Sequence, residues 1–129
     1  MNQRIDEHFA FVESLLLESP AIKAYQVTQR LVGVTDGKLR VKVELANSGL
    51  AELFEYVVAD HEIHLMKYSF HCQTSSGELW KRWDNAPHFP QLPYAPHHIH
   101  LANGGVVSAA QPPDIAAFLL ELELACTFG

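Results

Sequence analysis

The sequence predicts an α+β fold: an antiparallel, twisted β-meander of about five to six strands, with an N-terminal and a C-terminal helix packed on one face. Three observations predict it. Apolar residues recur at helical spacing near both ends of the chain, and they alternate with polar residues in the middle. The segments between the alternating stretches are short and polar, which favours antiparallel neighbours because parallel strands need long crossovers. We expect residues 1–129 to form a single domain.

The first helix is predicted over residues 4–18. Its apolar positions follow the i, i+4, i+7, i+11 spacing of one helical face, and they are Ile5, Phe9, Val12 and Leu16. Ser19 and Pro20 should end the helix, because the residue before a proline is pushed out of the helical region.

From Ala21 onward the hydrophobic period changes to two, which indicates strands. The clearest strand covers residues 38–45, where Leu39, Val41, Val43 and Leu45 alternate with charged residues. Before it we expect a hairpin turn at Thr35-Asp36-Gly37. In the strand at 63–72, one face should carry Met66, Tyr68, Phe70 and Cys72. The other predicted strands are 24–34, 53–58, 78–84 and a short edge strand at 97–101.

The second helix is predicted at the C-terminus. Pro112, Pro113 and Asp114 should open it, because proline is preset for the first helical turn. Its inner face is expected to consist of Ile115, Phe118, Leu119 and Leu122.

Charge and composition restrict the class of protein. The net charge of −6 argues against a generally basic nucleic-acid binder, yet residues 21–43 are net positive and could face a polyanion. Apolar runs are too short for a membrane span, so no membrane partner is expected. Cys72 and Cys126 lie far apart without metal-type spacing, which favours two buried thiols in a cytoplasmic protein over a disulfide.

Residues 80–101 hold most of the chemistry in the chain. Four of the seven prolines and four of the eight histidines fall in this stretch, together with both tryptophans. Prolines at three-residue spacing exclude a helix and resist a strand, so residues 85–96 should form a stiff loop. A stiff loop that presents imidazoles and a guanidinium is a candidate site.

Strand alternation separates the candidates by face. Trp80, Arg82 and Asp84 should share one face of the fifth strand, and Lys81 should lie on the other. His98 and His100 are two residues apart on an extended segment, so they should point the same way.

These residue types suit acid–base cleavage of a phosphodiester. RNA cleavage without a metal needs a base for the 2′-hydroxyl, an acid for the leaving oxygen and a cation for the charge on the phosphorane. His98 and His100 or His88 could supply the base and acid, and Arg82 or Lys81 the cation. Asp84 could orient a histidine. Aromatic side chains such as those of Trp80 and Tyr94 could stack on unpaired bases.

Two alternatives use the same stretch. His88, His98 and His100 could instead hold a zinc or similar ion, with Asp84 as a fourth ligand, although the predicted chemistry needs no cofactor. The loop at residues 84–100 could also serve a non-enzymatic binding module that recognises a partner protein.

Two motifs in this stretch carry a resemblance. Arg82-x-Asp84-Asn85-Ala86-Pro87-His88, followed by Pro96-His97-His98-x-His100, resembles the TumE-type family, the toxin half of toxin–antitoxin pairs. The resemblance implies RNA as the target and a small helix-turn-helix antitoxin as the partner. It also adds Asn85 and His97 to the candidate substrate contacts, beside Trp80, Lys81 and Tyr94.

The sequence thus predicts a TumE-like, cytoplasmic toxin that acts as a metal-independent endoribonuclease and is neutralised by a partner protein. The oligomeric state stays open, a homodimer included. This function requires a particular arrangement of side chains in space. The face with Arg82 and Asp84 must meet the face with His98 and His100 around a common cleft with His88.

Overall fold

The computed structural model describes residues 1–109 and 114–128, the last four without their side chains. It confirms the predicted α+β meander with two helices, although the sheet has seven strands instead of five to six. The elements are α1 (Gln3–Glu18), β1 (Ile22–Val32), β2 (Asp36–Leu45), β3 (Leu50–Ala59), β4 (Ile63–Gln73), β5 (Leu79–Asp84), β6 (His98–Leu101), β7 (Val106–Ser108) and α2 (Ile115–Phe128).

The strands lie in the sheet in chain order, from β1 to β7, and each is antiparallel to its neighbours. β7 was not predicted, because three residues after a glycine turn are too few to show a period. Its pairing with β6 corrects the prediction that residues 97–101 form an edge strand.

Both helices cover the same face of the sheet and bury the residues that the sequence assigned to their inner faces. α1 contributes Ile5, Phe9, Val12 and Leu16, and α2 contributes Ile115, Phe118, Leu119 and Leu122. The Phe118 ring lies 5.3 Å from the Phe70 ring of β4 and 5.3 Å from the Trp83 ring of β5, measured between centroids. α2 thereby fixes the two strands that lead into the candidate site.

The first hairpin turn differs from the prediction. The chain reverses at residues 33–35, whereas Asp36 and Gly37 already belong to β2. A Cβ atom at Gly37 would lie 2.7 Å from Ile5 Cγ2 and 2.8 Å from the Leu31 carbonyl oxygen. A glycine is therefore required at position 37 because α1 approaches the sheet closely there. The turn itself lies before this residue.

Met66 corrects the predicted face of β4. Tyr68, Phe70 and Cys72 are buried under the helices as expected, but Met66 is 55% exposed. The pairing of β3 with β4 shifts between Tyr56 and Val57, and a shifted register moves side chains to the other face. The sequence pattern does not reveal this irregularity.

The helix ends are capped as the residue types suggest. The Asn2 side chain accepts a hydrogen bond from the Ile5 N–H, and Asp114 Oδ1 accepts one from the Ala117 N–H at 2.8 Å.

Pro112 and Pro113, predicted to open α2, lie outside the described residues, as does the side chain of Cys126. Neither described helix is long and apolar enough to cross a lipid bilayer.

Candidate active site

Two neighbouring strands bring four predicted residues together. β5 carries Arg82 and Asp84, and β6 carries His98 and His100. The register places Arg82 opposite His100 and Asp84 opposite His98. Directly opposite residues in an antiparallel pair point to the same side, so all four side chains meet on the face of the sheet that the helices leave uncovered. These four residues are called the cluster below.

Asp84 is the centre of the cluster. Its Oδ1 lies 2.8 Å from His98 Nε2, while its Oδ2 lies 3.0 Å from Arg82 Nε and 3.3 Å from His100 Nε2. The Ala86 N–H donates a further hydrogen bond to Oδ1 at 3.0 Å. The Asp84 side chain is only 9% exposed, and these contacts satisfy a buried charge that would otherwise be costly.

His98 is held on both sides of its ring and is 1% exposed. Nδ1 donates a hydrogen bond to the Pro96 carbonyl oxygen at 2.8 Å, since a carbonyl can only accept. Nε2 lies 2.8 Å from Asp84 Oδ1, so the ring is fixed between a backbone carbonyl and a carboxylate.

His100 and Arg82 form the accessible side of the cluster. Their side chains are 20% and 39% exposed, and Arg82 Nη2 donates to His100 Nε2 at 3.2 Å. Burial and the neighbouring Arg82 charge lower the pKa of His100 below its ordinary value, against an opposing effect of Asp84. Because a guanidinium can only donate, the Arg82 contact requires a lone pair on His100 Nε2.

Phe89 covers the two histidines from the loop between β5 and β6. Its ring centroid lies 4.9 Å from that of His98 and 5.8 Å from that of His100, and both contacts are edge-on. This apolar lid keeps water from the buried side of the cluster, which strengthens the electrostatic interactions inside it.

A cavity of about 460 Å³ lies on the uncovered face of the sheet and has Arg82 in its wall. Its lining includes the cations Arg40 and Lys42 from β2, together with His71 from β4. Sequence reasoning noted the basic face of β2 but did not connect it with the cluster. The alternating basic residues in residues 38–42 indicated a basic face on β2. Only the register of the strands between β2 and β5 shows that this face lies beside Arg82.

Three predicted substrate contacts have structural partners. Lys81 lies on the helix-covered face, where its Nζ is 3.1 Å from Glu121 Oε2. Asn85 ties the loop to β4, since its side chain accepts from the Tyr68 N–H at 3.1 Å and donates to the Met66 carbonyl oxygen at 3.0 Å. Trp80 is half-buried and packs against the core, which corrects the prediction that it shares a face with Arg82 and Asp84. The pairing of β4 with β5 shifts between Cys72 and Gln73, opposite this part of β5, so strand alternation does not hold at Trp80.

The remaining predicted residues lie around the loop. Tyr94 is 61% exposed, and His88 is exposed without a side-chain hydrogen bond to any described residue. His97 Nδ1 and the Tyr68 hydroxyl are hydrogen-bonded at 3.0 Å. Burial, aided by the Asp84 charge, raises the pKa of Tyr68 to about 12, so its hydroxyl stays protonated.

One set of described residues in the cluster could hold a metal ion. A ligand atom from each of Asp84, His98 and His100 lies within 4.8 Å of the others. The sequence alternative assigned His88 to this ion, but His88 is not in the set. Asp84 instead provides the third ligand position.

Comparison with known proteins identifies the family. The family model described as Toxin TumE matches residues 12–124, which contain the whole cluster and the loop between β5 and β6. Neither the curated proteins nor the solved structures contain a significant match. The matched range covers most of the chain and confirms the resemblance seen in the two motifs, and the chain belongs to the toxin TumE family.

Proposed function

We propose that this toxin acts on RNA and cleaves it at the cluster by histidine acid–base catalysis. The observation that supports the proposal most directly is the convergence of Arg82, Asp84, His98 and His100. Arg82 also lines the cavity that contains Arg40 and Lys42. Such a site combines a proton acceptor with a cation beside it, which is what cleavage of a phosphodiester requires.

Exposure assigns the roles within the cluster. His100 and Arg82 reach solvent, so His100 takes the proton of the ribose 2′-hydroxyl and Arg82 stabilises the negative charge of the phosphorane. His98 and Asp84 are buried and act as positioning residues, because they hold the His100 ring and the Arg82 guanidinium in place.

The bond changes follow from these roles. The Arg82 guanidinium first turns from His100 Nε2 to the phosphate, which frees the Nε2 lone pair. The 2′-oxygen then forms a bond to phosphorus as its proton passes to His100 Nε2, and the bond from phosphorus to the 5′-oxygen breaks. The products are a 2′,3′-cyclic phosphate and a 5′-hydroxyl, once an acid has given the leaving oxygen its proton. His88 is the proposed acid, since it is exposed and adjoins Phe89, which contacts both cluster histidines.

The cavity offers a path along which an unpaired RNA strand could bind. Lys42 is exposed and has no ion pair with any described residue, so it is available for a phosphate. The Arg40 guanidinium stacks 4.4 Å from the Phe54 ring centroid, which leaves an amphipathic surface beside the path. An unpaired RNA strand that enters along β2 would reach Arg82 at the other end of the cavity.

Cleavage of a labelled RNA pool by the purified protein tests the proposal. We expect His100→Gln to lower the cleavage rate by about 10²- to 10⁴-fold, because the proton acceptor is lost. His61→Ala is the matched control, since His61 is an exposed histidine in the turn before β4. Intact RNA with the wild-type protein, or equal rates for His100→Gln and wild type, would refute the proposal. Intact RNA would also favour the loop at residues 84–100 as a non-enzymatic recognition surface.

The proposal includes an antitoxin partner. Membership of a toxin family implies an antitoxin, and we propose a small helix-turn-helix protein for this role. The exposed loop side chains of Tyr94 and His88 would lie in its footprint. Co-purification of the two proteins from a shared operon would support this. A homodimer remains a prediction, which light scattering of the isolated toxin can test.

A further inference from the structure

Both carboxylate oxygens of Asp84 and the Nε2 atoms of His98 and His100 are spaced much like the atoms around a metal ion. The distances are 2.8 Å from His98 Nε2 to Asp84 Oδ1, 3.1 Å from His98 Nε2 to His100 Nε2, and 3.3 Å from His100 Nε2 to Asp84 Oδ2. Ligands at about 2.1 Å from an ion lie about 3.0 Å apart in an octahedral site and about 3.4 Å apart in a tetrahedral one. The separations of 3.1 Å and 3.3 Å fall in that range, and the 2.8 Å separation lies just below it.

The surroundings of these atoms also match a metal site. A metal-ligating histidine normally donates its other ring N–H to a backbone carbonyl or a carboxylate, which fixes the ring. His98 Nδ1 does so with the Pro96 carbonyl oxygen at 2.8 Å. The Ala86 N–H holds Asp84 Oδ1 in a similar way. His98 is almost completely buried, and its Nε2 is directed at Asp84 Oδ1.

We propose that Asp84, His98 and His100 bind a divalent transition-metal ion of the Zn²⁺ class, and that the bound ion switches the RNA cleavage site off. Two imidazoles and a carboxylate are borderline ligands that suit Zn²⁺, Co²⁺ or Ni²⁺ better than Mg²⁺. The ion takes the His100 Nε2 lone pair, which then cannot accept the 2′-hydroxyl proton. The second half of this inference rests on the proposed function; the binding half does not.

Arg82 gives the inference a distinctive consequence. Its Nη2 donates to the same His100 Nε2 that the ion would bind, so the ion must displace this contact. A guanidinium so close to a dication also opposes binding. Removal of this charge in Arg82→Met should therefore tighten metal binding by about tenfold or more. A metal site that Arg82 helped to form would be weakened instead.

Titration of the metal-free protein with CoCl₂ tests the binding half, because Co²⁺ bound to imidazoles has a visible absorption spectrum. We expect one equivalent to bind to the wild type, and His100→Ala to bind at least 100-fold more weakly. Asp84→Asn provides a second ligand variant if His100→Ala does not fold, and His61→Ala should bind like the wild type. Absence of binding at millimolar Co²⁺, or equal affinity in both ligand variants, would overturn the site. Weaker binding by Arg82→Met would overturn the displacement of Arg82.

RNA cleavage with and without one equivalent of ZnCl₂ tests the inhibitory half. We expect Zn²⁺ to reduce the rate at least tenfold and an excess of chelator to restore it. A rate that is unchanged or increased by Zn²⁺ would overturn inhibition. A protein that binds Co²⁺ but never cleaves RNA would refute the proposed function while the metal site stands.

Discussion

The two faces of the sheet are built from alternate residues of the same strands, yet they differ in almost every physical property. On the helix-covered face, β2 presents Val41 and β5 presents Trp83, both within the core under α1 and α2. On the uncovered face, their neighbours Arg40 and Arg82 line the cavity. A shift of one residue in any strand would exchange these faces, so the packing that stabilises the fold also sets the orientation of the candidate site.

One charged residue on the helix-covered face shows what burial demands. Glu55 is 4% exposed among apolar side chains, and its Oε1 lies 2.8 Å from His8 Nε2 of α1. Asp84 on the uncovered face is almost equally buried but has three side-chain partners. For Glu55, one partner is enough to compensate the buried charge in a contact that stabilises the fold. The larger number of charged and titratable partners around Asp84 is typical of a functional site.

The largest expected effect comes from a large-to-small substitution in the core beneath the helix-covered face. Phe118→Ala should lower the free energy of unfolding by about 3–5 kcal/mol, because it leaves a cavity against Phe70 and Trp83. Urea denaturation measures the change. Leu120→Ala on the exposed side of the same helix is the control, and it should stay within about 0.5 kcal/mol. Equal effects of the two variants would contradict the assignment of the inner face of α2.

Strand alternation explains why much of this comparison could be predicted from the sequence. The apolar residues of β2 are two apart, and so are Arg82 and Asp84 on β5 and His98 and His100 on β6. Residue parity therefore predicted which side chains share a face. Parity could not predict the irregular pairing that exposes Met66, because it depends on the partner strand. The burial of His98 and the position of the cavity depend on how the strands and the loop pack together, which a local pattern does not contain.

The next effect separates chemistry from stability on the uncovered face. Asp84→Asn should reduce kcat for RNA cleavage by about 100-fold or more while KM changes little, because the positions of His100 and Arg82 are lost and substrate contacts remain. Steady-state kinetics on a short RNA measures both constants, and a thermal melt checks folding. A change confined to KM would place Asp84 in substrate binding instead.

Substitution of Asn85, the residue after Asp84, tests whether its side chain stabilises the fold or contacts the substrate. Asn85→Ala should cost about 1–3 kcal/mol of stability, because it leaves the Tyr68 N–H and the Met66 carbonyl without their side-chain partner. Urea denaturation measures this, with Gln91→Ala in the exposed loop as the control. A stable Asn85→Ala variant with weakened RNA binding would return Asn85 to the substrate contacts that the sequence predicted.

The smallest effect is expected in the cavity. Lys42→Ala should weaken RNA binding by about two- to fivefold and reduce the slope of log affinity against log salt by about 1, as for the loss of one phosphate contact. Lys23→Ala is the matched control, since Lys23 is exposed but pairs with Glu44 at 3.5 Å instead of lining the cavity. Fluorescence anisotropy at several salt concentrations measures both. Identical slopes for the two variants would exclude the cavity as the RNA path.

The chemical ends of the cleaved RNA test the central claim most directly. The cluster is proposed to act through His100 with no metal in the reaction, so cleavage should continue in an excess of EDTA. The products should carry 2′,3′-cyclic phosphate and 5′-hydroxyl ends, and a 2′-deoxy substitution at the cleaved nucleotide should abolish the reaction. Cleavage that stops in EDTA, or products with 5′-phosphate ends, would contradict histidine acid–base catalysis at this site.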